Sequence, residues 1–165
     1  LVTSIWKSPT DQQSVDVDII LASQQNARTD LELLAPEMIV PISSIEGSAA
    51  IQAPPDLLQH SPIHILGFDD HWARYLSAYG LEVDAPAGRV ITDTSTAAIE
   101  MVAAGLGYAV VLERFAQQAI RSGQKIRIVG APKELGQAHF LVKTNQSDAR
   151  QTPFMEFEAW LARQF

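Results

Sequence analysis

The sequence predicts an α/β chain folded into two lobes, and three observations carry that prediction. Strand-like and helix-like runs take turns from Val15 to Leu161, the pattern of strands covered by helices. Two extended passages, near residues 36–42 and 133–140, divide the chain into a middle part and a part made from both ends. With 165 residues, 47% hydrophobic and 19% charged, the chain can bury a real core but is too short for a large multidomain enzyme. Two lobes joined by two crossovers imply a hinged cleft.

The elements follow in order. Val15 to Leu21 begins with alternation and ends in a continuous apolar run, as a strand does on moving into a covered sheet. After a polar loop from Ser23 to Thr29, Leu31 to Ile42 is extended, and Pro36 and Pro41 make it an edge or a crossover rather than a central strand. Residues 53–60 form a short helix with proline in its first turn, and Pro62 stops it. Ile63 to Leu66 is a brief strand. Trp72, Tyr75, Leu76 and Tyr79 mark one face of a helix, with Asp69 or Asp70 as its N-cap and Gly80 past its end.

Arg89 to Ile91 is a short strand leading into Asp93-Thr94-Ser95-Thr96, four residues able to cap the helix that ends at Gly105. Tyr108 to Leu112 is an apolar strand. Phe115, Ala116, Ala119 and Ile120 mark a helix closed by Gly123, and Lys125 to Val129 alternates as a strand. His139 to Val142 is the second extended run. Thr152 caps the last helix, Pro153 takes its first position, and Phe154, Phe157, Trp160 and Leu161 form its buried face.

Composition excludes several functions. The formal charge of −7 repels phosphate, so this segment does not itself grip nucleic acid. The absence of cysteine removes disulfides, thiol nucleophiles and Cys-zinc sites. No run approaches the roughly 20 apolar residues that cross a bilayer, and the start lacks the regions of a signal peptide. Leu1 opens a strand-like stretch without an initiating methionine, which reads as part of a longer protein.

Few residues offer chemistry. His60 and His64 have the spacing of a helical metal pair, but Pro62 lies between them and no glutamate stands where a zinc-protease motif needs one. They read as surface histidines, and no metal or cofactor is expected. Gly105-Leu106-Gly107 has a helix before it and a strand after it, the reverse of a dinucleotide fingerprint, so it reads as a helix cap with a tight turn. Asp69-Asp70 reads as capping rather than as an acid/base pair, and the aromatic stripe Trp72, Tyr75, Tyr79 as core. Asp93, Thr94 and Ser95 stand out. A helix N-terminus with neighbouring hydroxyls can seat a carboxylate or similar acceptor, and spacing alone leaves this open beside simple capping.

Six segments, taken in register, resemble a known family. They are Val15 to Leu21, Leu34 to Ser43, Pro55-Asp56-Leu57-Leu58, Asp69 to Tyr75 with Gly80-Leu81, Asp93 to Ala97 leading to Ala104 to Val110, and Phe154 to Leu161. Together they resemble the effector-binding domain of LysR-type transcriptional regulators, nearest the branch of the glycine-cleavage activator and the β-lactamase regulator. The resemblance implies two Rossmann-like subdomains of the type 2 periplasmic-binding-protein fold joined by two crossover strands. Subdomain I would comprise residues 1–40 plus 140–165, and subdomain II residues 41–139. The family's first strand and helix would precede Leu1, as would its helix-turn-helix.

The resemblance also implies a small-molecule effector in the cleft, contacted by Asp93, Thr94 and Ser95. His139 on the returning crossover, and more weakly Trp72, would join them. An anionic group would suit such a site. Partners would be the effector, a second copy of the chain (a tetramer in the full-length protein), and DNA only through the helix-turn-helix. The protein would be bacterial, cytoplasmic, without cofactor and not an enzyme. The alternative is an extracytoplasmic solute-binding protein of the same fold. An enzyme on this fold would need an acid/base pair that the sequence does not present.

Overall fold

A computed structural model describes residues 17–26, 31–46, 51–68, 70–81, 90–143, 151–161, 163 and 164. In chain order the elements are β1 (Val17–Ser23), β2 (Leu31–Ser44), β3 (Pro62–Ile65), α1 (His71–Ser77), β4 (Val90–Thr92), α2 (Ser95–Ala103), β5 (Tyr108–Leu112), α3 (Glu113–Arg121), β6 (Ile126–Ile128), β7 (Lys133–Lys143) and α4 (Gln151–Leu161). Short 3-10 helices cover Gln24–Asn26 and Pro54–Gln59. The strand order is β1-β7-β2-β5-β3-β4, with β6 also paired to β2. The chain divides into two compact units, one made of Leu1–Pro36 with Gly136–Phe165 and the other of Glu37–Leu135.

In the first unit β1 pairs antiparallel with β7, Leu21 lying opposite His139. Residues Val15, Asp16 and 27–30 lie outside the described residues. Helix α4 begins at Gln151, so Pro153 falls within the first turn, where a missing N–H costs nothing. Its expected buried face holds only in part. Leu161 is buried, whereas Trp160 is 49% exposed and lies against Phe157 with ring centroids 5.8 Å apart; the Phe154 side chain lies outside the described residues.

The second unit is built on β5, all five of whose residues are buried. Tyr108, Val110 and Leu112 join Ile39, Leu57, Trp72, Tyr75 and Leu76 in one apolar cluster. Ala109 and Val111 join Val40, Ile42, Ile63, Ile65, Ile99 and Val102 in another. Alternate residues point to opposite faces of a strand, so α1 covers one face of the sheet while α2 and α3 cover the other. A strand covered on both faces reads as a continuous apolar run, which is what Tyr-Ala-Val-Val-Leu displays. Strands β3, β4 and β5 run parallel, and β2 runs antiparallel to β5 and β6.

The strand β2 passes from the first unit into the second at Pro36 and Glu37, which is the crossover expected, but it is paired on both sides and so is neither an edge nor peripheral to the sheet. Pro41 is tolerated because its backbone faces β6, where its carbonyl accepts the Val129 N–H at 2.9 Å, while Val40 and Ile42 serve the β5 side. Two further expectations change. Asp70 stands at the head of α1, but its backbone is already helical (φ −89°, ψ −9°) and its carboxylate pairs with Arg74 rather than capping; Asp69 lies outside the described residues. His64 is buried in β3 and not a surface residue. Arg89 lies outside the described residues, and β4 starts at Val90.

Polar contacts fix the second unit locally. Tyr75 donates its hydroxyl to the Ala131 carbonyl at 2.9 Å, and a Cβ on Gly130 (φ 76°) would stand 2.8 Å from that hydroxyl oxygen. Asp56 accepts the backbone N–H groups of Gln52 and Ala53 at 2.8 and 2.9 Å, which hold its carboxyl below the usual range. At the start of this unit Glu37, 3% exposed, receives a two-pronged pair from Arg114 of α3, at 2.8 Å (Nη2 to Oε1) and 3.2 Å (Nε to Oε2).

Two predictions follow from these contacts. Arg114→Met leaves the Glu37 carboxylate buried without its fork, and urea denaturation should show a loss of roughly 2–4 kcal/mol, toward the low side because Arg114 is partly exposed. Burial of the His71 ring pushes its pKa below 6.5, outweighing the attraction of Asp70. The unfolded chain therefore takes up this proton first, so the contribution of His71 to stability is full above about pH 6.5 and declines as pH falls toward its folded pKa. His71→Leu should flatten the pH dependence of the urea midpoint between about pH 7 and pH 5, and an unchanged slope would refute the assignment.

Candidate functional site

Parallel pairing of β4 with β3 brings the chain out at Thr92, and the turn through Asp93 starts α2 at the carboxyl end of the parallel strands. Crevices in open α/β sheets form at that end. Thr94 is the N-cap, with extended backbone (φ −136°, ψ 150°), and its Oγ1 accepts the Ala97 N–H at 3.2 Å. Ser95 is the first helical residue. Helix α2 is anchored from beneath by Ala98, Ile99 and Val102, which leaves Asp93 exposed and Thr94 and Ser95 half-buried at its head.

Ser95 and Thr96 also border a groove of about 210 Å³, closed by Ile99 of α2, Phe115 and Gln118 of α3, and Gln124. The first turn of a helix presents N–H groups without intrahelical acceptors and the positive end of the dipole. The groove thus joins a donor-rich end to an apolar wall, a combination suited to an acceptor group on a carbon skeleton.

Four of the five expected site residues lie in the second unit, and those four do not all come together. Asp93, Thr94 and Ser95 are consecutive on one turn. Trp72 belongs to the cluster on the other face of the sheet from α2, 8% exposed, with its ring 6.2 Å from His64 and 6.5 Å from Tyr108. His139 lies on β7 in the first unit, half-buried, opposite Leu21. His60 and His64 lie on different elements, a 3-10 helix end and β3.

Phe115, Gln118 and Gln124 were not singled out from sequence. The one signal was Phe115, counted toward the apolar stripe of α3 yet 42% exposed beside the groove. Gly105-Leu106-Gly107 is the helix end and tight turn expected: Gly105 has φ 78°, and a Cβ at Gly107 would meet the Ser61 carbonyl oxygen at 2.5 Å.

Residues 7–165 match the LysR substrate binding domain family. No curated protein matches the chain in sequence. Among solved structures, the effector domain of the transcriptional regulator AmpR of Pseudomonas aeruginosa is 22% identical with a TM-score of 0.77, over 98% of this chain and 77% of that one. The AmpR effector-binding domain from Citrobacter freundii is 20% identical with a TM-score of 0.76, over 96% and 78%. Full-length CbnR in complex with its target DNA is 16% identical with a TM-score of 0.56, over 88% and 51%. These likenesses share the periplasmic-binding-protein-like α/β fold. The chain belongs to the LysR substrate-binding domain family, the ligand-sensing regulatory part of LysR-type regulators.

Proposed function

We propose that the chain binds a small effector, anionic where it meets α2, through Asp93, Thr94 and Ser95, with His139 as a further contact from the returning strand. Trp72 acts from the core behind them and takes the weakest part. The observation that carries this reading is the α2 cap. Thr94 spends its oxygen on Ala97, and Ser95 beside it borders a groove between α2 and α3, next to the helix head where an acceptor group can sit. A carboxylate there would meet backbone N–H groups, a hydroxyl and the helix dipole together.

The family match favours this regulator over an exported solute-binding protein. In our reading the domain is not an enzyme and works in the cytoplasm, and no helix among the described residues is long and apolar enough to cross a membrane. It pairs with a second copy, as a homodimer that becomes a tetramer in the full-length protein. DNA is engaged only by a helix-turn-helix N-terminal to this segment. Effector binding biases one of two states because it binds them with different affinity.

In an NMR titration with small carboxylates, the amides of Ser95, Thr96 and Ala97 should shift saturably. Ser95→Ala should weaken binding about tenfold or more, the worth of a hydrogen bond to a charged group, with stability unchanged. Thr94→Ala should in addition cost about 1 kcal/mol of stability through the lost cap. Equal affinity in wild type and Ser95→Ala would remove these residues from the site.

A further inference from the structure

Helix α3 forms one wall of the groove at the α2 head, through Phe115, Gln118 and Ala119. Its start has no side-chain cap. Leu112 stands at the N-cap and offers no side-chain hydrogen bond, whereas Thr94 caps α2. The first turn of α3 is tied instead to a distant strand, by the fork from Arg114 to Glu37, 77 residues away in sequence, at 2.8 and 3.2 Å. Arg114 immediately precedes Phe115 and stands four residues, about one turn, before Gln118. Glu37 is buried on β2, so that end of the fork is fixed in the sheet.

A buried ion pair adds little net stability over apolar residues of the same shape, but two parallel hydrogen bonds accept only a narrow range of placements of guanidinium and carboxylate. That directional demand is passed to α3. Rotating the helix about its axis, or sliding it along β5, would break a prong and carry Phe115 and Gln118 with it. Ala116, the buried residue of α3, turns only a methyl group inward and resists such movement weakly. On the reading of the α2 head as the effector site, we propose that Arg114 is a positioning residue for the groove. Held by Glu37, it fixes the apolar wall that α3 presents, and so decides how well the groove admits the carbon skeleton of a carboxylate, while the α2 head meets the carboxylate itself.

The test titrates the 165-residue chain with acetate and with benzoate and follows the amides of Ser95, Thr96 and Phe115 by NMR. Acetate probes the α2 head alone, whereas the ring of benzoate also needs the α3 wall, so wild type should bind benzoate more tightly. Arg114→Met should weaken benzoate about tenfold, the share of one apolar wall, and leave acetate unchanged. Arg114→Lys, which keeps the charge without the planar fork, should do the same and is read alone where Arg114→Met does not fold. A lower stability in a chain that is still folded would not separate the two ligands. In a Phe115→Ala background Arg114→Lys should have no further effect on benzoate, because Arg114 acts through that wall. Benzoate bound no more tightly than acetate by wild type, benzoate affinity unchanged in the folded Arg114 variants, an equal fall for both ligands, or additive effects of the Phe115 and Arg114 substitutions would each overturn the proposal. Absence of saturable shifts with both ligands in wild type would instead remove the α2 site, and the proposal with it.

Discussion

The second unit depends on the burial of β5 on both faces. Tyr108 to Leu112 leaves no polar side for solvent, so helices must cover the strand twice, with α1 over Tyr108 and Val110 and α2 with α3 over Ala109 and Val111. Each large side chain so removed from water contributes about 1.5–3 kcal/mol before the entropy of ordering is deducted. The small Ala109 on the α2 face lets that helix lie close. Helix α2 is thus held from beneath, and its amino end falls at the carboxyl end of β4 as a result of packing. The candidate site is positioned by this core and not by its own polar residues.

Much of this was legible in the sequence because it rests on local chemistry. The run Tyr-Ala-Val-Val-Leu, the hydroxyl cluster before α2 and the glycines after α1, α2 and α3 each act within a few residues of themselves. What was misread depends on distant neighbours. Pro41 fits the crossover it was read as, but pairing on both sides of that strand depends on β5 and β6, and His64 looks exposed until α1 covers it. Trp160 has the spacing of a core residue, yet its helix leaves it at the surface against Phe157. Asp70 has the chemistry of a cap, but the backbone angles there send its carboxylate to Arg74.

The site divides in the same way. Thr94 caps as its residue type suggests, and Ser95 takes the first helical position beside it. The groove they border depends on α3 lying next to α2, which placed Phe115, Gln118 and Gln124 beside them, and of these only Phe115, in the apolar stripe of α3, is marked by its spacing. Trp72 shared a resemblance with the family's contact residues, but the sheet lies between it and α2. Membership of the LysR substrate-binding domain family supplies the sensing role, and the α2 cap with its groove is where we propose that role is exercised.

A strand that is apolar on both faces has no alternation to tell one alignment from the next. Sliding β2 by one residue would exchange Ile39 for Val40 between two equally greasy environments, at little cost in burial. Two features break that degeneracy. The slide would turn the ring nitrogen of Pro41 toward β5, where a ladder donor is needed, and it would carry the Glu37 carboxylate away from the Arg114 fork. An imino acid and a single ion pair therefore act as the alignment marks of the longest strand, holding its hydrogen-bonding frame where hydrophobic patterning is silent.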